Sequence, residues 1–369
     1  MTDLLKDTLT AQAAGAEPPE LDLDAVIALG ERRVRRRRTG TLLGTAFVAL
    51  AVIAAGLTAV RIIQADPEPA AKPPLPFTER RVTYAVNGVI HFGDAEIATG
   101  TTRVERFVQT DAGFVFTDHG EIKLADGRTT RKLADATSNS PLAASGPLAG
   151  WEEPTSSGSR TVIRDLRTDQ VVYDVNHPSG PHTSPADAPT GLVALDGDSA
   201  YFTTGGGLLQ LDVRTHLRQV IRPAYAVLKS LTVASSMYVY LTNGPEGIGK
   251  YVSIKRPPDQ RLGQALQTYS SAPITVGVST VGSSVVVATG GTLRVYDSQG
   301  RQHVTVTGTK PKMFGQWLND STFTAADAPA PDQPVNLLKC GVAEGLTMSC
   351  GVTKLAVAAG PEDLTFPSN

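Results

Sequence analysis

Cysteine is nearly absent. The 369 residues hold only Cys340 and Cys350, which excludes a small disulfide-dense scaffold and leaves no cysteine–histidine cluster at metal-ligand spacing. Aromatic residues make up only 6%, while Gly 35 and Pro 25 exceed ordinary usage, a balance that favours many turns over long helices. Charge is sparse at 19% and nearly balanced at a net −2, so the whole chain has no basic excess of the kind that binds nucleic acid. With 41% hydrophobic residues, neither wholesale disorder nor a polytopic membrane protein fits. Catalytic signatures are missing too: there is no Gly-x-Ser-x-Gly elbow, no phosphate loop, no His-Glu-x-x-His, no sialidase-type Asp box and no Trp-Asp dipeptide.

What is present begins with a charge asymmetry. Glu17, Glu20, Asp22 and Asp24 come first, and Arg32, Arg33, Arg35, Arg36, Arg37 and Arg38 crowd in immediately before Thr41 to Val60, a stretch without a single charge. Twenty residues at about 1.5 Å rise span about 30 Å, the hydrocarbon thickness of a bilayer. The spacing predicts a transmembrane helix over 41–63. The arginine block sets its topology, holding the tail 1–40 in the cytoplasm and placing the rest extracytoplasmically. A cleaved leader would instead have a short basic start and an apolar core of about 7 to 15 residues. Two short amphipathic helices, separated by Gly15 to Pro19, are open to the tail, as is an unordered state. Pro67, Pro69, Pro73, Pro74 and Pro76 make 64–80 a stiff spacer.

From Arg81 onward, short β-branched and aromatic runs alternate with Gly, Asp, Asn and Ser, and no helical period is sustained. Asn87-Gly88 is the strongest hairpin signal. Second strands of successive units begin near Phe114, Ala149, Tyr201, Val239, Val285 and Phe323, a mean spacing close to 42 residues. Asp165, Asp212 and Asp297 each end a strand three residues before Thr or Gly, where an aspartate bonds the backbone two residues on and fixes a turn. A period of about 40 to 45 with four short strands per unit is the arithmetic of a β-propeller blade. The competing pair of β-sandwiches does not predict a recurring turn. The expected fold is therefore all-β over 81–369, a propeller of seven blades or alternatively six. Its short first unit would be completed by a strand from Lys354 to Ala358.

The arginine block, single span, Pro-rich spacer and the run Gly206-Gly207-Leu208-Leu209-Gln210-Leu211-Asp212-Val213-Arg214-Thr215, echoed at Gly290-Gly291-Thr292-Leu293, resemble membrane-anchored β-propeller proteins of actinobacterial type. Such ectodomains are similar to WD40-like, TolB-like or quinoprotein-like propellers. The resemblance covers about 290 residues as architecture.

Candidate chemistry is thin. Cys340 and Cys350, ten residues apart in the last unit, are expected to form a disulfide that pins it. His177 and His182 share the longest insertion, Asn176 to Pro189, and are the candidate ligand-binding residues. Asp196-Gly197-Asp198 reads as a tight turn, and Trp151 and Trp317 read as packing between units. No catalytic residue, metal site or cofactor emerges. The leading function is non-enzymatic binding, sensing or scaffolding at the cell envelope, with the bilayer, a protein at the ectodomain and a cytoplasmic protein at the tail as partners. The alternative is a hydrolase, lyase or quinoprotein with a site at the central channel, because fold does not decide between them.

Overall fold

The computed structural model of the chain describes residues 75–137, 140–178, 188–204, 207–221, 227–235, 237–243, 250–255, 264–268, 274–289, 291–302, 305–327, 333–343 and 347–368. The chain divides into two compact units, Met1–Lys72 and Pro73–Asn369, and every described residue belongs to the second. The expected span, the tail and the arginine block lie outside the described residues. Among those described, no helix is long and apolar enough to cross a membrane.

The strands form seven sheets. Sheet A holds β1 (Thr83–Val86), β2 (Val89–Phe92) and β3 (Ala95–Ala98), with β28 (Leu364–Thr365) on its inner edge. Sheets B to E are four-stranded meanders: β4 (Arg106–Thr110) to β7 (Thr130–Asp135), β8 (Leu142–Ser145) to β11 (Gln170–Pro178), β12 (Pro189–Asp196) to β15 (Arg218–Ile221), and β16 (Val227–Ala234) to β19 (Gln264–Thr268). Sheet F has β20 (Ile274–Val278), β21 (Ser284–Thr289) and β22 (Thr292–Asp297). Sheet G runs β24 (Met313–Trp317), β25 (Thr322–Ala326), β26 (Val335–Ala343) and β27 (Thr347–Ala358). The strand β23 (Thr305–Gly308), which the repeat arithmetic assigns to the sixth unit, pairs in parallel with β27 and leaves sheet F with three strands.

Seven apolar clusters fill the seven junctions and close the ring. Phe92 and Phe107 meet between A and B, Val115 and Trp151 between B and C, and Ile163 and Phe202 between C and D. Tyr201 and Tyr238 meet between D and E, Val239 and Val287 between E and F, Val295 and Trp317 between F and G, and Leu337 and Leu364 between G and A. Because each sheet is covered on both faces by its neighbours, its second strand carries a run of consecutive buried residues rather than an alternation. All of β5 (Gly113–Asp118) is buried, whereas the outer β7 is mostly exposed. This ring of radially packed four-stranded units is a β-propeller.

Closure differs from the expected one. Lys354 to Ala358 belong to β27, held by the pairs Leu337↔Lys354 and Val335↔Ala358. The chain then turns through a short 3-10 segment, Pro361–Asp363, and β28 joins β1 through Ala85↔Thr365 and Val86↔Leu364. A strand already paired to β26 cannot also reach the centre of the ring. At the first hairpin, Asn87 and Gly88 both take positive φ, 48° and 73°, the pair that a two-residue turn with matching twist requires. A Cβ on Gly88 would lie 1.8 Å from the Thr101 carbonyl oxygen, so only glycine fits there.

Candidate functional site

The aspartate turns recur at one corner. Asp165 Oδ1 accepts from the backbone N–H groups of Arg167 at 2.9 Å and Thr168 at 3.3 Å. Asp212 Oδ1 accepts from Arg214 at 3.0 Å and Thr215 at 2.7 Å, and Asp297 Oδ1 from Gln299 at 2.9 Å and Arg301 at 2.8 Å. A fourth, Asp126, accepts from Arg128 at 2.8 Å and Thr129 at 2.7 Å, although the sequence reading did not single it out. Asp126, Asp165 and Asp212 close the turn from the third to the outer strand of their sheets, and Asp297 the turn that leaves the third strand of sheet F. The backbone N–H and the hydroxyl of Thr215 hold the Asp212 carboxyl below the ordinary range. Burial pushes Asp126 and Asp297 up, but their backbone and side-chain donors outweigh it and the carboxyls end lower.

At the same corner of sheet G stands the disulfide. Cys340 and Cys350 face each other directly on β26 and β27, with Cα atoms 4.1 Å apart, and both are buried. His177 ends in a different kind of tether. Its Nδ1 lies 2.9 Å from the Pro189 carbonyl oxygen and its Nε2 2.8 Å from Thr161 Oγ1. A carbonyl can only accept, so Nδ1 carries the hydrogen and Nε2 accepts from threonine. Both ring nitrogens are thereby engaged, Nδ1 tying β11 to β12 and Nε2 bonding Thr161 in the neighbouring strand of sheet C. His182 lies outside the described residues. Among the described residues, no group of three or more His, Cys, Asp or Glu is arranged to hold a metal ion.

The concave site lies at the centre of the ring. The innermost strand of every sheet delivers its C-terminal end to one mouth, which encloses a cavity of about 340 Å³. Polar groups line its rim: Gln109 in β4 and Asp111 just after it, Ser145 at the end of β8, Asp196 at the end of β12, Ser235 after β16, Thr280 after β20 and Gln316 in β24. The segment 75–80, which composition places in the spacer, contributes Phe77, Thr78 and Arg80 to this rim. Phe77 is buried against Phe92 and Phe114, with ring centroids 5.5 Å away in each case. Gln109 Nε2 donates to the carbonyls of Phe77 and Glu79, each at 2.7 Å, and Gln316 Nε2 donates to the Arg81 carbonyl.

Hydrogen bonds between neighbouring sheets stitch the rim. Asp111 N donates to Gly146 O at 2.8 Å, Gly197 N to Ser145 Oγ at 2.9 Å, Ser235 Oγ to the Thr280 carbonyl, and Val281 N to Asp320 Oδ1 at 2.9 Å. Beyond β28, Ser368 N donates to Phe107 O at 2.7 Å. The mouth is thus held by backbone and short side chains, so its shape is preformed. Asp111 is paired with Arg167. Arg80 is the cation among the described rim residues, and its Nη1 donates a 3.5 Å hydrogen bond to the Trp317 carbonyl. Solvent reaches it through the mouth while protein surrounds it elsewhere, and this desolvation lowers its pKa from the usual arginine value. Neither histidine nor cysteine is among the described lining residues.

A second hollow, also about 340 Å³, opens at the seam between sheets A and G. Tyr84 and His91 stack at 4.6 Å, Lys354 Nζ lies 2.9 Å from Tyr84 Oη, and Glu96 Oε1 lies 3.5 Å from His91 Nδ1. Burial and the Lys354 charge lower the His91 pKa, against the opposing pull of Glu96. The hydrogen bond to Tyr84 raises that of Lys354.

Sequence reasoning did not bring out Arg80, Gln109 or Gln316 as rim residues. The available signal was positional: the last residues of each unit's first strand converge in a propeller.

No family model matches the chain, and no curated protein matches it. Among solved structures, the Kluyveromyces lactis Hsv2p structure is similar over 64% of this chain and 75% of its own, at 11% identity and a TM-score of 0.42. TolB from Acinetobacter baumannii is similar over 80% of this chain and 68% of its own, at 13% identity and a TM-score of 0.39. A TolB homologue from Agrobacterium tumefaciens, described as putative in its name, is similar over 60% and 86%, at 9% identity and a TM-score of 0.40.

Proposed function

We propose that this chain is a membrane-anchored, extracytoplasmic propeller that binds or scaffolds rather than catalyses, presenting its channel mouth to a partner at the cell envelope. One observation carries the reading. The concave site of the ring is a stitched polar rim with one guanidinium and no nucleophile–base pair among its described residues. Such a rim offers shape and hydrogen bonds, the ingredients of recognition. The charge-free stretch 41–60 behind six arginines supports the anchor and its orientation.

Two measurements test it. Protease added to intact spheroplasts should degrade residues 81–369, and resistance of that region would remove the extracytoplasmic placement. Crosslinking and affinity purification of the full chain, beside a chain lacking 1–40, should recover a protein through the ring in both. Recovery that needs residues 1–40 would move the binding site to the tail. Failure in both, together with turnover of a small-molecule substrate, would establish the enzyme reading instead.

A further inference from the structure

We infer that the channel mouth is a binding site for the carboxylate of a small organic acid, with Arg80 as its anchor. This deepens the proposed binding role and rests on it. The argument begins with an imbalance. Among the described residues Arg80 has no carboxylate within ion-pair distance, and Nη1 makes a long hydrogen bond to the Trp317 carbonyl. The rim's other charges are accounted for differently: Asp111 is neutralised by Arg167, and Asp196, which has interactions of its own, stands on sheet D across the ring from the A, B and G wall where Arg80 sits. The guanidinium is exposed at the mouth, so its N–H donors are available to an anion that enters the cavity.

The surroundings supply what such an anion needs. Arginine presents parallel N–H donors that match a carboxylate in bidentate geometry. Ser145 Oγ accepts from Gly197 N, which leaves its own O–H available to donate into the cavity. Thr78 and Ser368 add two more hydroxyls on the Arg80 side of the rim. A volume of about 340 Å³ is at the small end of ligand pockets, which run from about 300 to 1,000 Å³. A single guanidinium pairs with one carboxylate group of the acid.

The experiment uses the full chain in mild detergent with succinate, acetate and inorganic phosphate as probes. Phenylglyoxal modification of Arg80, read by mass spectrometry, should be slowed saturably by succinate. Calorimetric affinity for succinate should fall at least about tenfold in Arg80→Gln, with Arg80→Lys in between. The protection assay in the unsubstituted chain keeps the test valid even where a variant misfolds. Arg80 modified at one rate with and without succinate, or equal affinity in Arg80→Gln, overturns the inference. Tighter binding of phosphate than of succinate overturns the carboxylate assignment. A protein partner recovered equally by Arg80→Gln, with no succinate protection, leaves the scaffold reading standing and removes this one. Succinate protection without any protein partner does the reverse.

Discussion

Sheets B, C and D turn from their third to their outer strand, and sheet F leaves its third strand, on an aspartate that bonds the backbone two and three or four residues on. Sheets A and G, which meet where the ring closes, do without it. Sheet A turns through Gly93-Asp94, with Gly93 at φ 59°, and takes its innermost strand from Leu364–Thr365. Sheet G carries a cross-strand disulfide at the corner where the others carry aspartate. The difference separates two problems. A turn is solved by residues within four positions of each other, whereas closing a ring joins the two ends of the domain, and loop-closure entropy opposes that at every opening. Long-range closure is accordingly held by a covalent bond, a returning strand and buried Leu364.

Removing that returning strand should break the comparison most. A chain ending at Gly360 loses the β28–β1 pairs, the buried Leu364, the 2.9 Å bond from Thr365 Oγ1 to Val104 O and the Ser368–Phe107 bond. Burial of one leucine is worth about 1.5 to 3 kcal/mol, and the hydrogen bonds add about 1 kcal/mol each. Thermal melting should drop by about 10 °C or more. An unchanged transition would mean that the ring holds without its closing strand. The disulfide comes next. Closing so short a loop stabilises by about 2 to 3 kcal/mol in the chain-entropy model, so Cys340→Ala/Cys350→Ala should melt about 5 to 10 °C lower. Limited proteolysis should then cut first in sheet G, and first cuts elsewhere would show that the bond does not guard the seam.

A local turn should cost less. Asp297→Ala removes two backbone acceptor bonds and the Arg301 pair, for about 1 kcal/mol by analogy with helix caps. Asp297→Asn should retain most of the stability at neutral pH. The lowered Asp297 carboxyl gives the sign of the pH effect: its contribution is complete above the ordinary aspartate pKa of about 3.9 and is lost as pH falls through the lower folded value. The Asn variant should therefore lose less stability than the wild type on acidification below about pH 4. Equal acid sensitivity of the two proteins would remove the aspartate from the account.

The smallest effect is expected at the seam itself. His91 has a lowered pKa, so the folded state disfavours its protonation, and stability should fall as pH drops from about 7 through the ordinary value of about 6.5 toward the folded one. His91→Gln removes the titrating group that lies between Tyr84, Lys354 and Glu96, and its melting temperature should be flatter across that window. Parallel curves for the two proteins would show that the seam does not sense pH.

Much of the ring was legible because its signals are local. Phe114, Ala149, Tyr201, Val239, Val285 and Phe323, read as second-strand starts, all fall within the second strands β5, β9 (Leu148–Thr155), β13 (Ser199–Thr204), β17 (Met237–Asn243), β21 and β25. Asn87-Gly88 makes its hairpin and Gly197 its turn at φ 58°. Trp151 and Trp317 are fully buried between sheets. The histidine reading shows the limit. The sequence placed His177 beside a long insertion, but not the Thr161 and Pro189 partners that engage both of its nitrogens. The mouth was less legible still, since Arg80 looked like the end of a spacer until its neighbours were known.

The sequence alone determined the alternation of strand and turn, the aspartate corners and the opposed cysteines, because each depends on backbone chemistry within about ten residues. Tertiary structure decided which strand closes the ring, where β23 pairs and which side chains share the channel. Arg80 meets the Trp317 carbonyl across 237 residues of chain, and Gln316 meets Arg81 across 235. No local period encodes such a meeting, because it depends on how seven twisted sheets pack around a common axis.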